Sequence, residues 1–89
     1  MKIDSTVFNQ QTMRTLGSAI RSRRKNLRLS QGELADLAGV SVNLLSQVEK
    51  GKTTTQICKL LDIISTLGLQ FVLDDGKDRI LIKNEPAQR

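Results

Sequence analysis

The sequence predicts a mainly α-helical domain of four to five helices, followed by a short β-strand. Three observations predict it. Apolar residues recur at helical spacing in four segments between Thr12 and Leu67. Helix-starting residues stand before three of these segments (Ser30, Ser41, Thr55), and helix-stopping glycines follow the same three (Gly39, Gly51, Gly68). From Leu69 to Leu73 the spacing changes to alternation, with Leu69, Phe71 and Leu73 on one face and Gln70 and Val72 on the other.

Residues 1–11 are polar apart from Ile3, Val7 and Phe8, and read as an arm with weak local structure. The first helix is expected from about Thr12 to Asn26. At about 100° per residue, Leu16, Ile20 and Leu27 share a narrow arc with Met13 near it, and Arg21, Lys25 and Arg28 fall opposite. Arg23 and Arg24 flank the apolar arc, where a long stem covers apolar surface while the head reaches out. Ser30 and Glu33 have the S-x-x-E spacing of a capping box. They open a short helix, about Gln31 to Ala38, with Leu34, Ala35 and Ala38 inward. Gly39 ends it, Val40 tucks inward, and Ser41 caps a third helix, about Val42 to Lys50, with Leu45 and Val48 inward. After a polar connector at residues 53–55, Thr55 is expected to cap a fourth helix, about Gln56 to Leu67. Its inward stripe would be Ile57, Leu60, Leu61, Ile64 and Leu67. Asp74-Asp75-Gly76 is a turn signal, and Arg79 to Lys83 is either a second strand or tail. The expected organisation is an arm at 1–11, a helical domain at 12–67, a strand or hairpin at 68–83, and a disordered tail at 84–89.

At 89 residues the chain has room for one small domain. With two Phe and neither Trp nor Tyr, its core must come from Leu, Ile, Val and Ala, and so small a core favours oligomerisation. The net charge of +5 is unevenly spread. Residues 1–28 hold seven basic side chains against Asp4, whereas residues 74–89 hold four of each sign. An N-terminal excess suits a phosphate-facing surface. Cys58 is the only cysteine and there is no His, so neither a disulfide within the chain nor a Cys/His metal site is expected. No cofactor, catalytic residue or membrane segment is expected, and the compartment expected is the cytoplasm, in association with the nucleoid.

The stretch from Ser30 to Gly51 has one physical logic. Two short helices meet at a tight glycine turn, small Ala35 sits where they approach, and Leu34, Val40, Leu45 and Val48 lock their angle. A helix-turn-helix has these requirements. Its second helix would expose Val42, Asn43, Ser46 and Gln47, bounded by Ser41 and Lys50. Asn and Gln can each bond bidentately to adenine.

The run L-S-Q-G-E-L-A-D-L-A-G-V-S-V-N-L-L-S-Q-V-E-K-G-K, Leu29 to Lys52, resembles the Cro/C1-type, or XRE-type, helix-turn-helix family. That resemblance implies a lambda-repressor-like fold and operator DNA, an inverted repeat, as partner. More narrowly, Ile20–Leu27 and Gly51–Leu73 resemble the HipB-type antitoxins. In that family such a domain represses its own operon, binds a HipA-type kinase toxin, and pairs C-terminal strands between subunits. The resemblance implies that Gln31 contacts phosphate and supports base contacts, and that Ser41, Val42, Asn43, Ser46 and Gln47 face the major groove. It places Lys52 on the DNA backbone and makes Arg24 and Glu49 a structural ion pair. Arg28 joins Gln31 and Lys52 as a phosphate-positioning residue. Val42 is apolar where many relatives carry a polar reader, so a thymine methyl suits it. Leu37 and Leu44 stand at positions often polar in the wider family, and either pack under the arm or form partner surface.

Leu69, Phe71 and Leu73 are candidate dimerisation residues, because a short hairpin is weak alone and pairing between subunits buries it better. They also suit a monomer's own core. The function expected is that of a homodimeric DNA-binding repressor, with either an antitoxin role beside it or no toxin partner. An RNA-binding module would use exposed aromatics on a sheet, and Phe8 and Phe71 are the only aromatic residues.

Overall fold

A computed structural model describes residues 10–52, 56–74 and 79–84. Four helices and a hairpin follow one another: α1 (Gln10–Asn26), α2 (Gln31–Ala38), α3 (Val42–Glu49), α4 (Ile57–Thr66), β1 (Leu69–Asp74) and β2 (Arg79–Asn84). α3 packs against α1 and α2, α4 against α2, and the hairpin against α4 and α1. The strands are antiparallel, in register from Leu69 opposite Asn84 to Asp74 opposite Arg79. No helix among the described residues is long and apolar enough to cross a membrane.

The core forms where the apolar stripes meet. Met13, Leu16 and Ile20 come from α1, Leu34, Ala35 and Ala38 from α2, Leu45 and Val48 from α3, and Leu60, Ile63 and Ile64 from α4, closed by Leu67 and Leu69. Leu29, Val40 and Leu44 pack against its edge. Gly17 is a place where α1 must come very close to α3. A Cβ there would collide with the Val48 carbonyl oxygen, so the backbones of α1 and α3 touch with no side chain between them.

Several expectations need correction. α1 begins at Gln10, inside the segment read as arm, and the hairpin runs through Asn84, inside the segment read as tail. The rest of both segments lies outside the described residues. Leu27 is 43 % exposed. α1 stops at Asn26, so the helical period that placed Leu27 inward no longer applies to it. On α4 the buried stripe is Leu60, Ile63, Ile64 and Leu67, while Ile57 and Leu61 are 37 % and 39 % exposed. Leu61 and Ile63 border opposite sides of that stripe, and spacing alone could not decide which side α2 and the hairpin cover. Gln56, not Thr55, holds the position before α4, and Thr55 lies outside the described residues. The segment from Arg79 is a strand, paired with β1 in the same chain.

Helix ends in this chain share one device. Arg28, Gly39, Gly51 and Gly68 all take positive φ, of 61°, 71°, 82° and 71°. After α1 the Arg28 N–H donates to the Lys25 carbonyl at 2.9 Å and the Leu29 N–H to the Arg24 carbonyl at 3.1 Å, the paired closure usually built on glycine. Arg28 therefore carries a left-handed backbone at a cost of roughly 1–2 kcal/mol, which glycine would avoid at the expense of a freer unfolded chain. Arg28→Gly should therefore raise stability by about 1 kcal/mol in urea denaturation. A less stable glycine variant would contradict this reading of the turn.

Candidate nucleic-acid interface

α2 begins with a complete capping box. The Glu33 N–H donates to Ser30 Oγ at 3.0 Å, and the Ser30 N–H donates to Glu33 Oε1 at 2.8 Å. It ends at Gly39, whose N–H donates to the Asp36 carbonyl at 3.2 Å while the Val40 N–H donates to Ala35 at 2.9 Å. Three residues, Gly39 to Ser41, separate α2 from α3, whose first turn is closed by the Leu44 N–H on Ser41 Oγ at 3.0 Å. At its far end the Gly51 N–H donates to Val48 at 2.9 Å and the Lys52 N–H to Gln47 at 3.1 Å. The backbone of Lys52 is thereby fixed to α3.

α3 turns Leu45 and Val48 into the core and leaves Ser41, Val42, Asn43, Gln47 and Lys50 exposed, with Ser46 half-buried among them. Ser41 Oγ is an acceptor for the cap, so its own O–H stays available as a donor. Val42 is 48 % exposed, an apolar contact on an otherwise polar face. Leu44 is half-buried against the core, whereas Leu37 on α2 is 65 % exposed. Leu44 is thus committed to packing, and of the two only Leu37 offers surface to a partner.

Behind this face Glu49 gathers three segments of the chain. Arg24 Nε donates to Glu49 Oε2 at 2.7 Å and Nη2 to Oε1 at 3.0 Å, a two-point pair between α1 and the end of α3. Arg24 Nη1 also donates to the Leu29 carbonyl at 2.8 Å, and Gln31 Nε2 donates to Glu49 Oε1 at 3.1 Å. The two charged side chains are only 9 % and 3 % exposed. Burial opposes the Glu49 charge most strongly. The hydrogen bonds from Arg24 and Gln31, with the charges of Arg24 and Arg21, outweigh it and hold the carboxyl below its ordinary value. The hydrogen bond to Glu49, partly offset by burial, raises Arg24.

Arg24, Glu49 and Gln31 are therefore in direct contact, and Gln31 is half-buried at the start of α2. Arg28 and Lys52 are exposed, in the turn before α2 and just after α3. Leu69 is buried in the chain's own core. The side chains of Phe71 and Leu73 lie outside those described. Two contacts had no clear sequence signal. One is the Gln31–Glu49 bond, which needs the tertiary arrangement. The other is Arg23, whose Nε donates to the Leu67 carbonyl at 2.9 Å and so ties α1 to the end of α4. Only the position of Arg23 beside the apolar arc hinted at it.

Two capped helices across a glycine turn, the second polar on its outer face and pinned from behind, define a helix-turn-helix protein. The family model described as helix-turn-helix matches residues 20–73. Over 65 residues the chain is 40 % identical to an uncharacterized HTH-type transcriptional regulator, y4mF, of Sinorhizobium fredii, covering 72 % of this chain and 86 % of that one. An uncharacterized HTH-type transcriptional regulator of Haemophilus influenzae is 29 % identical over 73 residues, covering 75 % of this chain and 74 % of its own. The immunity repressor protein of Bacillus phage phi105 is 31 % identical over 74 residues, covering 83 % of this chain and 51 % of its own. The chain belongs to the Cro/C1-type helix-turn-helix family.

Removing one partner of a buried pair strands the other charge. Glu49→Ala is expected to cost about 3–5 kcal/mol in denaturant or thermal melts. A melt like that of the wild type would refute the pair's structural role. Because the folded Glu49 carboxyl lies below its ordinary value of 4.5, its charge-linked stability is complete above that pH and is lost as pH falls through the folded value. Glu49→Gln should flatten the acid side of the stability profile.

Proposed function

We propose that this chain is a sequence-specific transcriptional repressor that binds an inverted-repeat operator as a homodimer. The observation that carries this reading is the outer face of α3, exposed, polar and fixed from behind by the Arg24–Glu49 pair. Its relatives' names, HTH-type transcriptional regulator and immunity repressor, support it. Asn43, Ser46 and Gln47 read base edges, Ser41 offers its hydroxyl, and Val42 meets a thymine methyl. Gln31, Arg28 and Lys52 hold the phosphates and set the register. Two subunits would present their α3 helices to half-sites about 34 Å apart on one face of the DNA. The strand Leu69–Leu73 supplies the contact between them: β2 occupies one edge of β1, and an uncovered strand edge invites a second chain.

A second reading adds an antitoxin role, in which the dimer neutralises a HipA-type kinase toxin encoded beside it. Leu37 favours it. A leucine 65 % exposed on α2 serves neither the core nor the polar face of α3. The sequence resemblance from Ile20 to Leu73 to HipB-type antitoxins points the same way. Without such a partner the chain is a stand-alone repressor of the same DNA-reading design.

Titration of the wild type against DNA upstream of its own gene should give one specific site. Gln47→Ala should lose roughly 1–3 kcal/mol of discrimination there with little change in non-specific binding, whereas equal loss on both DNAs would remove Gln47 from the readers. Light scattering should show a dimer for the wild type and monomers for Phe71→Asp. For the antitoxin role the readout is co-purification with the product of the adjacent reading frame and a shift in operator affinity when it is added. If that product is not kinase-like, or does neither, the stand-alone repressor remains.

A further inference from the structure

α1 presents one stripe of residues to the end of α3. Gly17 abuts the carbonyls of Val48 and Glu49, and Arg24 is bonded to the Glu49 carboxylate. Arg21 stands between them on the same stripe, four residues after Gly17 and three before Arg24. It is exposed, and its charge acts on the Glu49 carboxylate without a hydrogen bond between them. Glu49 has no need of it, since Arg24 occupies Oε2, and Arg24 and Gln31 share Oε1. Among the described residues, none takes the donors of the planar Arg21 guanidinium, which is exposed to solvent.

The place where those donors stand is informative. Glu49 follows Val42 by seven residues, which puts both on one edge of α3, beside the outward residues Asn43, Ser46 and Gln47. Gln31 reaches Glu49 along this same edge. A helix lying in the major groove has a phosphate strand along each of its edges. The strand on the Glu49 edge would pass Gln31 and Arg21 together. A guanidinium with free donors matches a phosphate bidentately.

We infer that Arg21 is a further DNA-contacting residue, one that grips a backbone phosphate on the strand along the Val42–Glu49 edge of α3. The assignment rests on the repressor reading above and extends it to a residue of α1. Arg24 and Arg21 then divide the work of one helix face, the first spent inside on Glu49 and the second left outside for DNA.

The test uses the full chain and a labelled duplex of arbitrary sequence, with affinity read by fluorescence anisotropy across a range of NaCl concentrations. For Arg21→Gln the slope of log K against log salt should fall by about 0.9, and affinity near 0.1 M salt should weaken roughly eightfold. Arg21→Lys should keep the slope, as should Lys59→Gln on the exposed side of α4, and thermal melts of all three should match the wild type. An Arg21→Gln slope equal to that of the wild type overturns the assignment alone, and a lowered melting temperature with that slope would make Arg21 a support for Glu49. A wild type that binds no duplex at any salt overturns the repressor reading, and this assignment with it.

Discussion

A carboxylate taken almost fully out of water needs its charge and its lone pairs answered, and Glu49 has both answered by residues from other elements. Arg24 of α1 supplies two hydrogen bonds and the opposite charge, and Gln31 at the start of α2 supplies a third bond. Taking two such charges from water costs several kcal/mol each, and only close, well-directed contacts offset that. The geometry here meets the condition, and the guanidinium is anchored again on the Leu29 carbonyl. The consequence is positional. The end of α3, the start of α2 and the body of α1 cannot shift relative to one another without breaking a hydrogen bond to the buried Glu49 carboxylate.

The rest of the domain is arranged around that constraint. Gly17 lets α1 lie directly on the carbonyls at the end of α3, which brings the Arg24 stem within reach of Glu49. The two serine caps and the Gly39 turn fix where α2 and α3 begin, so Leu34, Ala35, Leu45 and Val48 meet beneath them. With its inner side held by packing and its end held by the ion pair, α3 presents its outer residues as a set. Arg23 does a comparable task at the other side of α1, donating to the Leu67 carbonyl just where the chain leaves α4 for the hairpin. The two adjacent arginines thus join α1 to α3 on one side and to the end of α4, where the hairpin begins, on the other.

Much of this was legible in the sequence because it is local. Ser30 with Glu33, Ser41, Gly39 and Gly51 announce helix ends through short-range hydrogen bonding, and they fell where the structure has them. The family resemblance supplied the partnership of Arg24 and Glu49, which spacing alone could not. What escaped depends on how elements face each other. Leu61 and Ile63 both fit an apolar stripe of α4, and only the packed neighbours chose Ile63. Leu27 fits the apolar arc of α1 by its period, but it lies one residue past the helix end at Asn26, where that period no longer sets its direction. The Gln31–Glu49 bond joins residues eighteen apart and has no periodic signature. Arg28 in a left-handed turn breaks the local rule that favours glycine, and so could not be anticipated from it.

The Arg24–Glu49 pair matters chiefly for where it holds Gln31 and α3, and less for net stability. Replacing both charges with apolar residues of similar size separates the two roles, because such replacements often leave stability unchanged or raised. The decisive measurement is the DNA affinity of the double variant Arg24→Met, Glu49→Leu, taken beside its thermal melt. The double variant should fold and melt at or above the wild type, with weakened binding and reduced discrimination between specific and arbitrary DNA. A double variant that folds and reads DNA as the wild type does would contradict it.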